Sequence, residues 1–116
     1  MRDDVTTIAE LKKLMEDFVA QRDWQPFHDP KNLSASIAIE AAELMEHFQW
    51  LRSDELDSIQ EDREKMVQIG EELADIMAYL LSCATVLGVD LSAALADKMK
   101  KNAIKYPADK FRGRSG

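Results

Sequence analysis

The sequence predicts an all-α protein, and three observations predict it. Apolar residues recur at three- and four-residue spacing along most of the chain, as on one face of a helix. No stretch alternates apolar and polar residues for long enough to make a strand. Pro26, Pro30, Gly88 and Pro107 fall between the periodic stretches, where they separate helices rather than interrupt them. At 116 residues the chain is one domain with a real but modest core. Four or five helices in that length imply an antiparallel bundle.

The elements follow in order. Thr6 or Thr7 can cap a first helix, with Glu10 placed three residues after Thr7 as a capping-box partner. Ile8, Leu11, Met15, Phe18 and Val19 carry its apolar stripe to about Arg22. Pro26 and Pro30 then make residues 23–30 a loop, which holds Trp24, Phe27 and His28. A second helix is expected from Asn32 or Ser34 to about Leu51, and a short one after Ser53-Asp54. A long helix runs from about Glu61 to Leu87 and stops at Gly88. Asp90 or Ser92 caps a last helix through Leu95, Met99 and Ile104, ending before Pro107. The long helix carries Leu73, Ala74, Ile76, Met77, Ala78, Leu80 and Leu81, so it is apolar on more than one side and needs covering on several faces. An identical subunit is expected to supply part of that cover. Cys83 lies within this apolar run and is expected to be a packed core thiol.

Composition narrows the function. The net charge of −7 argues against a general nucleic-acid binder. No apolar run approaches the roughly 20 residues that span a bilayer, and the polar N-terminus has no signal-peptide core. A single cysteine cannot form an internal disulfide, which agrees with a reducing compartment, and the expected location is the cytoplasm. Charge is unevenly placed: from Lys98 onward the chain holds 7 of its 15 basic residues and 1 of its 22 acids. Residues 1–111 are expected to form the domain and 112–116 a flexible basic tail.

The chemistry lies in two acidic pairs. Glu40 and Glu43 are one helical turn apart in Ile39-Glu40-Ala41-Ala42-Glu43-Leu44, and Glu72 and Asp75 repeat the spacing in Glu71-Glu72-Leu73-Ala74-Asp75. Twenty-eight residues separate Glu43 from Glu72. If the two helices pack antiparallel, four carboxylates converge on one cleft with no lysine or arginine interleaved. Such a cluster is strongly unfavourable without a cation, and oxygen-only donors of high charge suit Mg²⁺ or Mn²⁺ rather than zinc. His28-Asp29 lacks the further histidines of an HD phosphohydrolase, and Glu43 with His47 has the wrong spacing for a di-iron bundle. No phosphate-binding glycine loop, nucleophilic triad or zinc spacing is present. The rival from another class is a non-catalytic regulatory bundle whose acids form a solvated face.

At these residues the chain resembles the MazG-like, all-α nucleoside triphosphate pyrophosphohydrolases, and within them the small dCTP pyrophosphatase branch. The resemblance runs from about Phe18 to Arg114. It is carried by Arg22-Asp23-Trp24, Phe27-His28, Pro30-Lys31-Asn32-Leu33, both acidic pairs, Phe48-Gln49-Trp50, Tyr79-Leu80, and Lys98-Met99 with Asn102 and Tyr106-Pro107. It implies Mg²⁺-dependent hydrolysis of a nucleoside triphosphate to the monophosphate and pyrophosphate, with Glu40, Glu43, Glu72 and Asp75 as metal ligands. Glu40 or Glu43 is the expected activator of water. Lys98 and Asn102 match positions near phosphates and sugar, with Lys105 and Tyr106 as weaker candidates. Trp24 and Trp50 match base-pocket aromatics, and Tyr79 a tyrosine under the sugar. The resemblance also implies a tetramer built as a dimer of dimers. One departure stands out: Met15 replaces a histidine found in eukaryotic relatives, which bears on base preference and not on the reaction.

Overall fold

A computed structural model of the chain describes residues 1–113. Among them six α-helices and two 3₁₀ turns follow one another, with no strand. Helix α1 spans Ile8–Gln21 and opens on the expected capping box: Glu10 N–H donates to Thr7 Oγ1 and Thr7 N–H to the Glu10 carboxylate, each at 3.1 Å. After it, Asp23 takes a left-handed φ of 53°, which turns the chain back so that Trp24 N–H donates to the Val19 carbonyl. A 3₁₀ turn over Gln25–Phe27 leads into helix α2, Pro30–Glu46.

Helix α2 begins earlier and ends earlier than its periodicity predicts. Pro30 needs no hydrogen bond at the first helical position, and Asp29 caps by accepting the Asn32 N–H at 2.8 Å. Beyond Glu46 the backbone tightens into three-residue turns, with Phe48 N–H donating to Met45 and Leu51 N–H to Phe48. Short α3 spans Ser53–Asp57 and a 3₁₀ turn Ile59–Glu61. Helix α4 runs over Arg63–Leu87, capped by Asp62 and closed by Gly88 in the left-handed region at φ 68°. Helix α5 covers Leu91–Lys105 behind the Asp90 cap, and Pro107 opens a one-turn α6, Ala108–Phe111, that the sequence pattern did not reveal. Arg114 and the rest of the basic tail lie outside the described residues.

Helix α4 is the centre. Helix α2 packs along it more extensively than any other element, and α1 covers it from another side. Their inward residues Val19, Leu33, Ile69, Leu81 and Ala84 form the buried core, with Leu33 the most enclosed at 2% exposure. Leu73, Met77 and Leu80 of α4 stay 40–52% exposed, the uncovered side that the over-apolar pattern predicts. Cys83 is a free, half-buried thiol, less enclosed than expected. Helix α5 leaves the body: its axis turns 99° from that of α4, and none of its residues is buried. Among the described residues no single helix is long and apolar enough to cross a membrane.

Candidate metal centre

The α2–α4 packing brings the acidic pairs together. Carboxylate oxygens of Glu40, Glu43 and Glu72 all lie within 4.8 Å of one another. Asp75, one turn beyond Glu72, adds its charge to the same spot. Glu40 and Glu72 are half-buried, and the Oε2 atom of each is buried without a hydrogen-bond partner. Burial, then hydrogen bonding to Glu72 and Glu43, then the charges of Glu43 and Asp75 push the Glu40 carboxyl up to about 7. Among the described residues no lysine or arginine pairs with any of the four acids. One cation-capable group does approach: His47, which follows α2, sets Nε2 3.9 Å from Glu72 Oε1. Hard oxygens in a tight group, two of them buried and unpartnered, fit a hard divalent cation. The chemistry of the donors therefore agrees with Mg²⁺ or Mn²⁺.

Along α4 from the acids lies Tyr79. It lines a cleft of about 290 Å³ with Trp24, Phe27, His28, Asn32, Leu33 and Ser36. Trp24 is held there by its neighbours: Phe18 meets it edge-on at 5.8 Å, and His28 stacks at 6.4 Å. His28 also borders a second cavity of about 350 Å³ between α1 and α4, which Met15, Ser82 and Thr85 line. His28 Nδ1 and Thr85 Oγ1 are buried without partners. The residue at the departed position therefore faces a cavity next to the aromatic cleft.

Other expected site residues are elsewhere. Trp50 is 84% exposed on the turns after α2 and does not line the Trp24 cleft within one chain. Lys98 and Asn102 sit on α5, away from the acids, and Asn102 Nδ2 contacts the Met99 sulfur at 3.8 Å. Lys105 lies over the Tyr106 ring at 5.2 Å, and Tyr106 meets Phe111 edge-on. The cleft residues Asn32 and Ser36 escaped sequence reasoning as site residues. Their signal was the Asp29-Pro30 cap, which sets the helix register from its first turn.

Helices and acids first define a class: an all-α protein with two acidic pairs facing each other across two packed helices. The chain belongs to the MazG-like family, whose model matches residues 35–115. It is 36% identical over 107 residues to dCTP pyrophosphatase 1 of Bos taurus, covering 92% of this chain and 63% of that protein. Against dCTP pyrophosphatase 1 of Homo sapiens it is 36% identical over 109 residues, covering 94% and 64%. The chain thus spans somewhat less than two thirds of the length of these relatives. Its fold matches the crystal structure of a pyrophosphatase from Archaeoglobus fulgidus DSM 4304 with a TM-score of 0.80 and 40% identity, covering 92% of this chain and 98% of that one.

Proposed function

We propose that the chain is a Mg²⁺-dependent nucleoside triphosphate pyrophosphohydrolase. It cleaves a deoxynucleoside triphosphate, dCTP or a modified dCTP, into the monophosphate and pyrophosphate, and so cleanses the nucleotide pool. The observation that carries this reading is the acid cluster, in which buried oxygens of Glu40 and Glu72 have no partner and, among the described residues, no lysine or arginine pairs with the acids. The name and likeness of the relatives support the same reaction class.

Glu40, Glu43, Glu72 and Asp75 would hold the metal, with Mn²⁺ able to replace Mg²⁺. Bound there, the ion supplies charge neutralisation for a triphosphate and acidifies water. Glu40 or Glu43 orients or deprotonates the attacking water. Trp24 and Tyr79 offer flat surfaces to base and sugar in the cleft beside Asp75. Met15 lines the adjoining cavity, so base preference, a modified cytosine included, is the part of the reading that Met15 bears on. The exposed Leu73, Met77 and Leu80 favour a homo-oligomer, a tetramer as a dimer of dimers. The charge of −7 leaves nucleic acid out as a partner, and the cytoplasm, where nucleoside triphosphates are made, is the site of action.

The test is a panel of ordinary and modified triphosphates, incubated with Mg²⁺ or with chelator and resolved by anion exchange. Conversion of dCTP to dCMP and pyrophosphate only with the metal is expected. No turnover of any triphosphate with either metal would overturn the reading in favour of a regulatory bundle.

A further inference from the structure

Behind the aromatic cleft, the α1–α4 cavity holds polar groups that the described chain does not satisfy. Its volume is about 350 Å³, room for several waters at about 30 Å³ each. Thr85 lines it from the last turns of α4, and His28 from the loop before α2. Thr85 Oγ1 and His28 Nδ1 are both buried, and neither has a hydrogen-bond partner among the described residues. Ser82, one turn before Thr85 and 7% exposed, adds a hydroxyl to the same lining. A threonine inside a helix ordinarily turns its hydroxyl back to a carbonyl of the preceding turn. Thr85 does not, although its neighbours Cys83, Ala84, Val86 and Leu87 are apolar and a valine there would have the same shape. A buried hydroxyl left without a partner costs free energy that valine would not.

His28 supports the cleft through its ring. The imidazole stacks on Trp24 at 6.4 Å with the planes 23° apart, and Phe18 meets the same indole edge-on. Trp24 is 42% exposed, so these contacts rather than burial set its orientation. Stacking fixes the plane of an imidazole but not its flip about the Cβ–Cγ bond, which exchanges Nδ1 with a carbon. A hydrogen bond to Nδ1 removes that freedom. Two unpartnered groups in one polar, roomy cavity form the arrangement that a bridging water joins.

We infer that Thr85 is a positioning residue for the aromatic cleft: a water held by its Oγ1 in the α1–α4 cavity bonds His28 Nδ1 and locks the imidazole against Trp24. The inference rests on the reading of that cleft as the site of base and sugar. Thr85 acts through His28 and Trp24, and therefore on how tightly the nucleoside is held. The metal-assisted step at Glu40, Glu43 and Glu72 is left unchanged. Ser82 offers the water a further partner.

Two variants test this. Thr85→Val keeps the shape and removes the hydroxyl; Thr85→Ser keeps the hydroxyl. With Mg²⁺ and the best substrate of a triphosphate panel, Thr85→Val should raise KM about tenfold, the worth of about one hydrogen bond, and change kcat less than about twofold. Thr85→Ser should return KM close to the wild-type value. A merely structural role would lower the folded fraction, and with it kcat, while leaving KM alone. Wild-type KM in Thr85→Val, or a loss confined to kcat, overturns the inference. A second readout needs no turnover. The chain has two histidines, His28 and His47, and a His28→Gln protein identifies the His28 signals in ¹⁵N NMR. At about pH 9, where imidazoles are neutral, the wild type should show the two widely separated ring-nitrogen signals of one fixed tautomer. In Thr85→Val they should draw toward their average. Averaged signals in the wild type, or separated signals that survive Thr85→Val, overturn the inference as well. If the wild type hydrolyses no triphosphate, the functional reading fails, while the ring nitrogens still decide whether Thr85 holds His28.

Discussion

The body and the arm of this chain differ in what holds them. In the body, α1, α2 and α4 bury Val19, Leu33, Ile69, Leu81 and Ala84 against one another, and that packing gathers the carboxylates of Glu40, Glu43 and Glu72, with the charge of Asp75 nearby. In the arm, no residue of α5 is fully buried, and its lysines are exposed. The body is thus a packed scaffold that carries an uncompensated acid cluster. The arm is a locally sound helix, capped by Asp90 and ended before Pro107, whose position is set by a junction rather than by a core. The difference teaches that packing and charge are divided here: the buried core and the acid cluster lie in the body, while the lysine-rich helix α5 contributes no buried residue.

Substitutions sharpen that division, beginning with the largest effect. Glu43→Ala removes an acid of the cluster and should cut triphosphate turnover by about a thousandfold, since such a site supplies several kcal/mol of charge stabilisation. Circular dichroism should show unchanged helicity; turnover within tenfold of wild type would break the site assignment. Next comes the body itself. Leu33→Ala opens a cavity at the most enclosed position and should lower unfolding free energy by about 2–5 kcal/mol in a denaturant titration. A loss below about 1 kcal/mol would mean the core lies elsewhere.

The arm should behave in the opposite way. Lys98→Ala should reduce kcat/KM about ten- to hundredfold, the worth of one charge-assisted hydrogen bond, and leave the melting temperature unchanged. A lower melting temperature with full activity would reverse the roles of arm and body. The smallest effect is a pH dependence. Glu40 in the folded chain titrates at about 7 against 4.5 when unfolded, so the fold keeps a proton that the unfolded chain releases. The stability from this group is fully present below about 4.5 and lost as pH rises through about 7. Metal-free Glu40→Gln should therefore melt above wild type at pH 8, with the gap closing toward pH 5. A gap that stays constant with pH would show that Glu40 is not pressed by its neighbours.

How much of this was legible in the sequence differs by region as well. The capping box at Thr7 and Glu10, the stop at Gly88 and the approach of Glu40, Glu43 and Glu72 across two helices follow from local chemistry and period, and the structure bears them out. The start of α2 was misread because Asn32 and Ser34 are good caps too, and only the folded loop shows that Asp29 does the capping. Its end was misread because Phe48 and Leu51 keep a helical rhythm while the backbone tightens into turns. The angle between α4 and α5 was not legible at all. Gly88 announces that a helix stops, not which way the next one leaves, so the sequence says nothing of how α5, with Lys98 and Asn102, is directed relative to α4. The exposure of Trp50 was not legible either, since an aromatic residue on a turn carries no sign of which surface it faces.

Magnesium binding measured by calorimetry at pH 7 tests the central claim most directly, because it asks whether the acid cluster is a cation site without asking what substrate follows. Run in two buffers of different ionisation enthalpy, it also counts protons. Saturable binding accompanied by net proton release, as the ion displaces the proton that Glu40 holds near neutral pH, and abolished by Glu43→Ala, is the predicted result. Wild-type protein that takes up no magnesium, or binds it equally well after Glu43→Ala, would contradict the account.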